Sequence, residues 1–324
     1  MVSVATLARR AHLPVRPQIP QKDSLMIRTI TVIVAVLFAL PAQAQKPAPS
    51  LPTVKLCTGV PDGNYDFSGI QIAQQAKGAL NIVTVNTQGS QDNLARLDKG
   101  ECDAAIVQSD AYGVYLKENA HSALNLEKSR VLYQEYLHFI CNGDAGISRI
   151  TQLTKKNTVL VGPLGGGTST TWESFRIADP KRYDPIPTLP IGGLRAVNLV
   201  QEGSEASCML FVTGLKSGPI NEANQIARNS KGHLVLVAAD DSDLPKIKDP
   251  KGRPVYSKAT IPGGTYPGGL QPASILGSSV DTIAVDAVLV TNTSFIDANE
   301  QAYNILLRAV NNALPAIKNK VEAK

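Results

Sequence analysis

Four glycine-rich turns carry the residues that could do chemistry in this sequence. Each joins a strand-like run to a helix-like run and mixes glycines with hydroxyl or amide side chains, at residues 58–65, 87–90, 162–169 and 191–194. Turns of this kind present free N–H groups at helix starts, where the positive end of the helix dipole favours an anion. These residues could therefore hydrogen-bond a small anionic or zwitterionic solute.

Nucleotide and calcium sites fit these turns poorly. A Walker A loop needs lysine after its last glycine, where this chain has Thr168, and the dinucleotide pattern G-x-G-x-x-G also fails. The segment 62–73 begins like a calcium loop, but Phe67 and Ala73 occupy the positions of its glycine and glutamate. A single glycine turn is more often plain strand-to-helix geometry than a binding site. The number of the turns, and the hydroxyls and amides beside them, favour a shared site.

Catalytic groups are sparse. The histidines are His12, His121, His138 and His233, and the chain has no H-E-x-x-H, no G-x-S-x-G elbow and no paired-carboxylate motif. His138 and His233 lie in or beside apolar runs, which predicts structural roles. Trp172, the single tryptophan, suits the core and a cleft equally well. We predict a protein that is not an enzyme and uses no metal or cofactor.

The four cysteines, Cys57, Cys102, Cys141 and Cys208, lack the spacing of a metal site. In an oxidising compartment they allow three pairings. Cys57 lies near the end of one predicted strand and Cys102 near the start of a parallel one, which predicts that these two are too far apart to bridge. We expect buried free thiols.

Two sets of alternating strands and helices must position the turns. The first set comprises strands at 54–58, 81–87 and 103–109 and helices at 67–79 and 91–99. The second set comprises strands at 158–162, 186–191 and 207–213 and helices at 169–177 and 194–201. This alternation is typical of parallel α/β architecture.

The two sets superpose at an offset of 103 residues. The glycines that coincide are Gly59 with Gly162, Gly63 with Gly166, Gly89 with Gly192, and Gly100 with Gly203. Internal repetition of this kind predicts two lobes of one plan. If the lobes face each other, all four turns converge on one cleft.

Domain boundaries follow from this pattern. We predict a first lobe at 53–137, a second lobe at 138–282, and a return strand with a C-terminal helix at 283–324 that packs on the first lobe. The apolar runs 137–141 and 282–290 should form a two-strand hinge, and the segment from about 294 to 320 should be helical.

The N-terminus has the plan of a secretory signal peptide. Arg28 precedes an apolar run at 32–40, too short to span a bilayer, and the small-residue site Ala42-Gln43-Ala44 follows Pro41. We expect cleavage after Ala44 and export to the periplasm.

The segment ahead of this signal is polar and out of place. We therefore expect translation to start at Met26, a signal peptide at 26–44, a spacer at 45–52, and an extension at 1–25 that is not part of the natural product. Without residues 1–44 the chain has 27 basic and 26 acidic side chains, a balance that does not favour nucleic acid as a partner.

Five ordered segments of the chain carry recognisable motifs. They include Thr58-Gly59 through Asn64-Tyr65, Gln88-Gly89-Ser90-x-x-Asn93-Leu94, Gly100-Glu101-Cys102-Asp103 continuing to Asp110, Val161-Gly162-Pro163 to Gly167-Thr168, and Ile261-Pro262-Gly263-Gly264-Thr265-Tyr266-Pro267-Gly268. Together they resemble the TAXI family, the TRAP-associated extracytoplasmic binding proteins, over nearly the whole mature chain. The resemblance implies a type II periplasmic-binding-protein fold with two βαβ lobes joined by a two-strand hinge. It also implies that a monomer captures an organic acid or an amino acid such as glutamate and delivers it to a sodium-coupled TRAP membrane permease.

The resemblance also implies a set of ligand contacts. These are Thr58, Asn64, Tyr65, Gln88, Ser90, Gln108, Ser109, Gly165, Gly166, Gly167, Thr168, Ser169, Thr213 and Tyr266. The chain departs from the family in its first loop, where a negative charge at Asp62 or Asp66 would disfavour a dicarboxylate and favour a ligand with an amine. Two other functions remain open, a binding protein of an ABC importer for sulfonates or pyrimidine precursors and a ligand-sensing partner of a membrane receptor.

Overall fold

A computed structural model gives the structure of residues 50–227, 233–250, 252–271 and 279–322. The predicted signal peptide, its cleavage site after Ala44 and the predicted start at Met26 lie outside the described residues. Within these ranges no helix is both long enough and apolar enough to cross a membrane.

Ten strands of the described residues form one mixed sheet. They are β1 (Thr53–Cys57), β2 (Asn81–Val85), β3 (Ala104–Gln108), β4 (Leu126–Asn142), β5 (Val159–Leu160), β6 (Thr188–Leu189), β7 (Cys208–Thr213), β8 (Leu234–Val237), β9 (Tyr256–Ile261) and β10 (Val280–Asn292). Their order is β2-β1-β3-β10-β4-β7-β5-β6, with β8 beside β4 and β9 beside β10. The groups β2-β1-β3 and β7-β5-β6 are parallel, as the alternating pattern predicts.

Helices cover both faces of each parallel group. They are α1 (Asn64–Ala76), α2 (Ser90–Asp98), α3 (Ser109–Glu118), α4 (Gly167–Ala178), α5 (Pro180–Tyr183), α6 (Gly193–Glu202), α7 (Gly218–Ile226), α8 (Thr293–Ala298) and α9 (Glu300–Val321). The buried apolar side chains fall into four clusters, two in each half of the sheet. Strand β3 is buried along its whole length because helices lie on both of its faces.

Two long strands join the halves of the sheet. Strand β4 has 17 residues and β10 has 13, and they pair antiparallel with each other in the middle of the sheet. On its other side β10 pairs with β3 of the first half, whereas β4 pairs with β7 of the second half. This arrangement is the two-lobed type II periplasmic-binding-protein fold, and the predicted fold class is confirmed.

The 103-residue repeat is visible in the backbone. Gly63 and Gly166 directly precede α1 and α4, and glycines also precede α2 and α6. The glycines that follow α2 and α6, Gly100 and Gly203, adopt φ angles of +71° and +70°, a left-handed conformation that ends a helix without steric penalty in glycine. The two lobes therefore share their turn geometry as well as their order of elements.

The C-terminal segment differs in detail from its prediction. It forms two helices, α8 and α9, separated at Asn299, and not one continuous helix. Helix α9 packs against α1, so the chain returns to the first lobe. The exact lobe boundaries stay predictions, because both lobes share β4 and β10.

The cysteines are bridged, so the expectation of free thiols is wrong. Cys57 pairs with Cys102 across a Cα separation of 5.9 Å, and Cys141 pairs with Cys208 on neighbouring strands. Cys102 lies before the first residue of β3, in a turn that brings it into the same apolar cluster as Cys57. The prediction began the strand at residue 103 and placed Cys102 near its start, at the far end from Cys57, and therefore placed the two sulfurs too far apart.

This pairing predicts a protein without reactive thiols. Alkylation of the unfolded, non-reduced mature protein should label none of the four cysteines, and full labelling should require prior reduction. The bridged cysteines lie 45 and 67 positions apart. Loops of this size make each bridge worth about 4 kcal/mol in the chain-entropy model, so reduction should lower the free energy of unfolding measured by denaturant titration. Alkylation of two or four cysteines before reduction would contradict the assignment.

Candidate functional site

A polar cavity of about 180 Å³ lies between the two lobes. Loop and helix-start residues of both lobes line it, together with residues of the hinge strand β4 and of β7. The lining residues are Gly59, Val60, Gly63, Asn64, Tyr65, Gln88, Gly89, Ser90, Gln108, Glu135, Gly167, Thr168, Val212 and Thr213. The cavity is smaller than the roughly 300–1,000 Å³ sites that hold drug-sized ligands, which favours a small solute.

Three helices begin at this cavity, α1 and α2 from the first lobe and α4 from the second. The first N–H groups of a helix have no acceptor within the helix. Glycine precedes each of the three, and none receives a side-chain capping bond. Gly89 before α2 has a φ of +120°, which a side chain would disfavour. Donor groups and three positive dipole ends are therefore directed at one small space.

The hinge strand contributes an acidic side chain to the cavity. Glu135 lies on β4, is 4% exposed, and accepts a hydrogen bond of 3.1 Å from the Tyr65 hydroxyl. Burial raises the pKa of Glu135 to about 8, and the nearby carboxyl of Asp110 adds to the increase. The side chain is therefore poised to be neutral, or to pair with a cation, at physiological pH.

The rims of the two lobes are in direct contact. The Asn64 side-chain amide donates to the Thr213 hydroxyl over 3.1 Å, and the Gln91 backbone N–H donates to the Gly165 carbonyl over 3.3 Å. Each bond joins a first-lobe residue to a second-lobe residue. The lobes are closed around the cavity in this structure.

A buried carboxylate behind the cavity also links the lobes. Asp110, at the start of α3, accepts hydrogen bonds of 2.7 Å from the hydroxyls of Thr171 on α4 and Tyr256 on β9. Burial raises the pKa of Asp110. Opening the cleft would separate these groups, so the bonds favour the closed arrangement.

Gln108 of the first lobe and Gly167 of the second lobe lie close together at the site. A Cβ atom added to Gly167 would lie 1.3 Å from the Gln108 Oε1 atom. Gln108 also receives structural support, because its backbone N–H donates to the Ser90 hydroxyl over 3.0 Å. Only glycine at position 167 leaves room for this side chain in the closed cleft.

Eight of the ligand contacts predicted by resemblance line the cavity. They are Asn64, Tyr65, Gln88, Ser90, Gln108, Gly167, Thr168 and Thr213. The other six lie outside the lining, namely Thr58, Ser109, Gly165, Gly166, Ser169 and Tyr266. Thr58 and Ser169 bond to backbone carbonyls through their hydroxyls, so they hold the turns in shape. Their contact with a ligand stays a prediction that this closed arrangement does not favour.

Tyr266 needs a clear correction. It is 2% exposed in the second-lobe core, where its hydroxyl bonds to the Leu215 carbonyl and lies 2.7 Å from the His138 Nε2 atom. It therefore pairs with His138, whose structural role agrees with the prediction. Trp172, for which core and cleft were both open, is fully buried in the core.

Two further expectations about the cleft are wrong. The fourth turn does not reach the lining, because Gly192 packs against Gly162 and Pro163 of the third turn. The charge assigned to the first loop is also absent from the cavity: Asp66 accepts bonds from the Asn86 amide and the backbone N–H of Asp62, and the Asp62 side chain is exposed. Asp66 therefore stabilises the loop and does not face a ligand.

Sequence reasoning missed Glu135, the acidic residue that the cavity does contain. The sequence feature that could have indicated Glu135 is an acidic residue two positions before the apolar hinge run at 137–141. It also missed Asp110, which lies at the end of a motif that was identified. Among the described residues no group of three or more His, Cys, Asp and Glu side chains could hold a metal ion.

Comparison with known proteins gives one family match. The model of the NMT1-like family matches residues 56–323. No curated protein matches the chain. This match does not name the TAXI family, so membership of that group stays a prediction.

Solved structures share the fold at low identity. A protein from Bordetella bronchiseptica RB50 superposes with a TM-score of 0.50 and 13% identity, over 83% of this chain and 75% of that chain. The GluR0 ligand-binding core from Nostoc punctiforme in complex with L-glutamate has a TM-score of 0.47 and 12% identity, over 84% and 100%. A probable amino-acid ABC transporter extracellular-binding protein from Bacillus subtilis has a TM-score of 0.48 and 10% identity, over 85% and 100%. At these identities the likeness extends to the fold alone.

His138 should make the second lobe sensitive to acid. Burial lowers the pKa of His138 from 6.5 to about 4, so the neutral ring is favoured in the folded state. A lowered folded-state pKa means that stability is present above pH 6.5 and is lost as the pH falls toward 4. The loss should be about 3 kcal/mol at pH 4. Denaturant titrations from pH 7 to 4 should show a smaller decline for His138→Gln than for the wild type, and equal declines would contradict the assignment.

Gly167→Ala should impair closure. The added methyl group overlaps the Gln108 side chain, so either Gln108 moves into the cavity or the lobes stay apart. Gly113→Ala on α3 is the matched control, since its Cβ would lie 3.9 Å from the Asp249 Cβ atom, an ordinary contact. Small-angle scattering in the presence of a bound solute should show a larger radius of gyration for Gly167→Ala only. Normal closure of Gly167→Ala together with an unchanged solute affinity in calorimetry would overturn the assigned contact, because a displaced Gln108 would occupy part of the cavity.

Proposed function

Because the chain belongs to the NMT1-like family and encloses a polar cavity between two hinged lobes, we propose that it is an exported receptor that closes over a small solute. One observation carries this proposal. The uncapped starts of α1, α2 and α4 come from different lobes and line the same cavity. A solute held there touches both lobes at once.

Closure is the step that binding would control. A ligand shifts a conformational equilibrium only by its differential contacts with the two states. A solute between the lobes makes its full set of contacts only when the cleft is shut, where it adds to the bonds between Asn64 and Thr213 and between Asp110 and its hydroxyl partners. The receptor would thus report occupancy through its shape.

The proposed solute is a small organic acid or an amino acid similar to glutamate. Helix N-termini bind carboxylates through backbone N–H groups, and the hydroxyls of Ser90 and Thr168 lie beside them. In the part of the chain that the structure describes, the cavity lining contains no histidine, lysine, arginine or cysteine. The lining thus offers no pair of nucleophile and general base, which favours a binding role over catalysis.

The proposed destination is a sodium-coupled TRAP membrane permease. The ordered motifs shared with TAXI proteins support this part, because they extend from the first loop to residue 268. The signal sequence supports a periplasmic location, and the receptor would act as a monomer that docks on the permease when its lobes are closed.

A ligand panel tests the proposal. The protein from residue 45 onward, refolded without ligand, should be melted with individual L-amino acids and small mono- and dicarboxylates, and positive compounds titrated by calorimetry. At 100 times its dissociation constant a true ligand adds about 2.7 kcal/mol of stability, so the melting temperature should rise by several degrees. Scattering should show a more compact protein with the same ligand. The receptor proposal fails if no compound raises the melting temperature and the purified protein instead converts a substrate into a product.

A further inference from the structure

Glu135 is the single charged side chain among the described residues that line the cavity. It projects from β4, the strand that both lobes share, so it lies at the floor of the cleft. Its one hydrogen bond in the described part of the chain comes from the Tyr65 hydroxyl. A buried carboxyl of this kind must stay protonated or find a positive partner.

The described residues around Glu135 supply no positive charge. The titratable groups that face it are Tyr65 on α1, Asp110 on α3 and Tyr133 on β4, and Tyr256 on β9 adds a further hydroxyl to the small space behind it. All of these are neutral or acidic. The raised pKa of Glu135 agrees with this placement, because burial and a nearby carboxyl both disfavour its ionised form.

In contrast to Glu135, the side chain of Gln108 needs a hydrogen-bond acceptor. It is 2% exposed and lines the same cavity, and its Nε2 donor has no acceptor in the described residues. Buried side-chain donors normally have a partner. An acceptor atom of the solute would satisfy Gln108, and the nearby helix starts would stabilise negative charge on that atom.

The cavity thus combines unsatisfied donors with one buried acid. A dicarboxylate would place a second negative charge close to Glu135 and Asp110 with no basic side chain in the lining to compensate it. An amino acid brings its own positive charge. Its ammonium group can neutralise Glu135, while its carboxylate takes the donors of the helix starts and Gln108.

We infer that the solute is a zwitterion whose ammonium group pairs with Glu135, which makes Glu135 the residue that selects amines over simple acids. The inference rests on the proposed receptor function and narrows its ligand class. In the competing arrangement a protonated Glu135 donates to an oxygen of an anionic solute, and the receptor then prefers the deaminated acid.

Matched compounds that differ only in the amino group distinguish these arrangements. L-Glutamate with glutarate and L-alanine with propanoate are suitable pairs, titrated by calorimetry into the wild type and into Glu135→Gln. Glu205→Gln is the control, because Glu205 is exposed on the second lobe. A second variant, Glu135→Asp, keeps the negative charge if Glu135→Gln fails to fold.

The wild type and Glu205→Gln should bind the amine of a pair more tightly than its deaminated partner. In Glu135→Gln the affinity for the amine should fall at least about 30-fold, as expected when one partner of a buried charge pair is removed. The affinity for the deaminated acid should stay within a few-fold. Glu135→Asp should keep the preference for the amine at reduced affinity.

Two results overturn the inference and leave the receptor function intact. One is a wild type that binds deaminated acids as tightly as amines or more tightly. The other is a folded Glu135→Gln that keeps the full preference for the amine. If the wild type binds no compound of either class, the proposed function itself loses its support.

Discussion

The pairing of β4 with β10 is the constraint on which the rest of the structure depends. The two strands stay paired from Leu126 opposite Asn292 to Tyr136 opposite Ala284, so one antiparallel ladder joins the two halves of the sheet. A one-residue slip in this ladder would turn every side chain to the opposite face, including Glu135. The register shifts near Ala287 and Leu289 interrupt the ladder locally. Motion between the lobes is therefore restricted to bending of two strands whose register is set.

The repeated glycine turns form the cleft between the two lobes that β4 and β10 join. Glycine before a helix supplies no side-chain cap, so the first turns of α1, α2 and α4 present backbone N–H groups at the cavity, although the Gln91 N–H of α2 bonds to the Gly165 carbonyl. The same small residues let the lobes approach closely, and Gly167 against Gln108 is the tightest example. One residue type thus provides both donor groups and room for closure.

The electrostatics of the cleft differ from those of a site built around arginine. Helix starts direct positive dipole ends at the cavity, and among the described residues that line it the sole charged one is the acid Glu135. Asp110 adds a second buried carboxyl behind it, satisfied by two hydroxyls from the other lobe. Closing the lobes therefore buries acidic groups that depend on hydrogen bonds and, in the proposed complex, on the ammonium group of the solute for compensation.

Local features of the sequence were sufficient to predict the helices and strands, the two-lobed plan and most of the cleft. Turn glycines and alternating apolar runs act over a few residues, and the 103-residue repeat confirmed that they recur in the same order. Three of the four predicted turns reach the cavity because each follows a parallel strand at the same edge of its lobe.

Only the tertiary structure decided which side chains meet. Tyr65 and Glu135 are 70 positions apart, and Asp110 meets partners 61 and 146 positions away. Cys57 and Cys102 pair because a turn before β3 departs from the line of the strand, and Tyr266 turns to His138 in the core instead of the cleft. Such contacts depend on the path of loops and on the register of distant strands, whereas glycine turns and apolar periodicity are properties of neighbouring residues. The sequence by itself determined a cleft rich in backbone donors, and the folding of the hinge strand placed an acid at its floor.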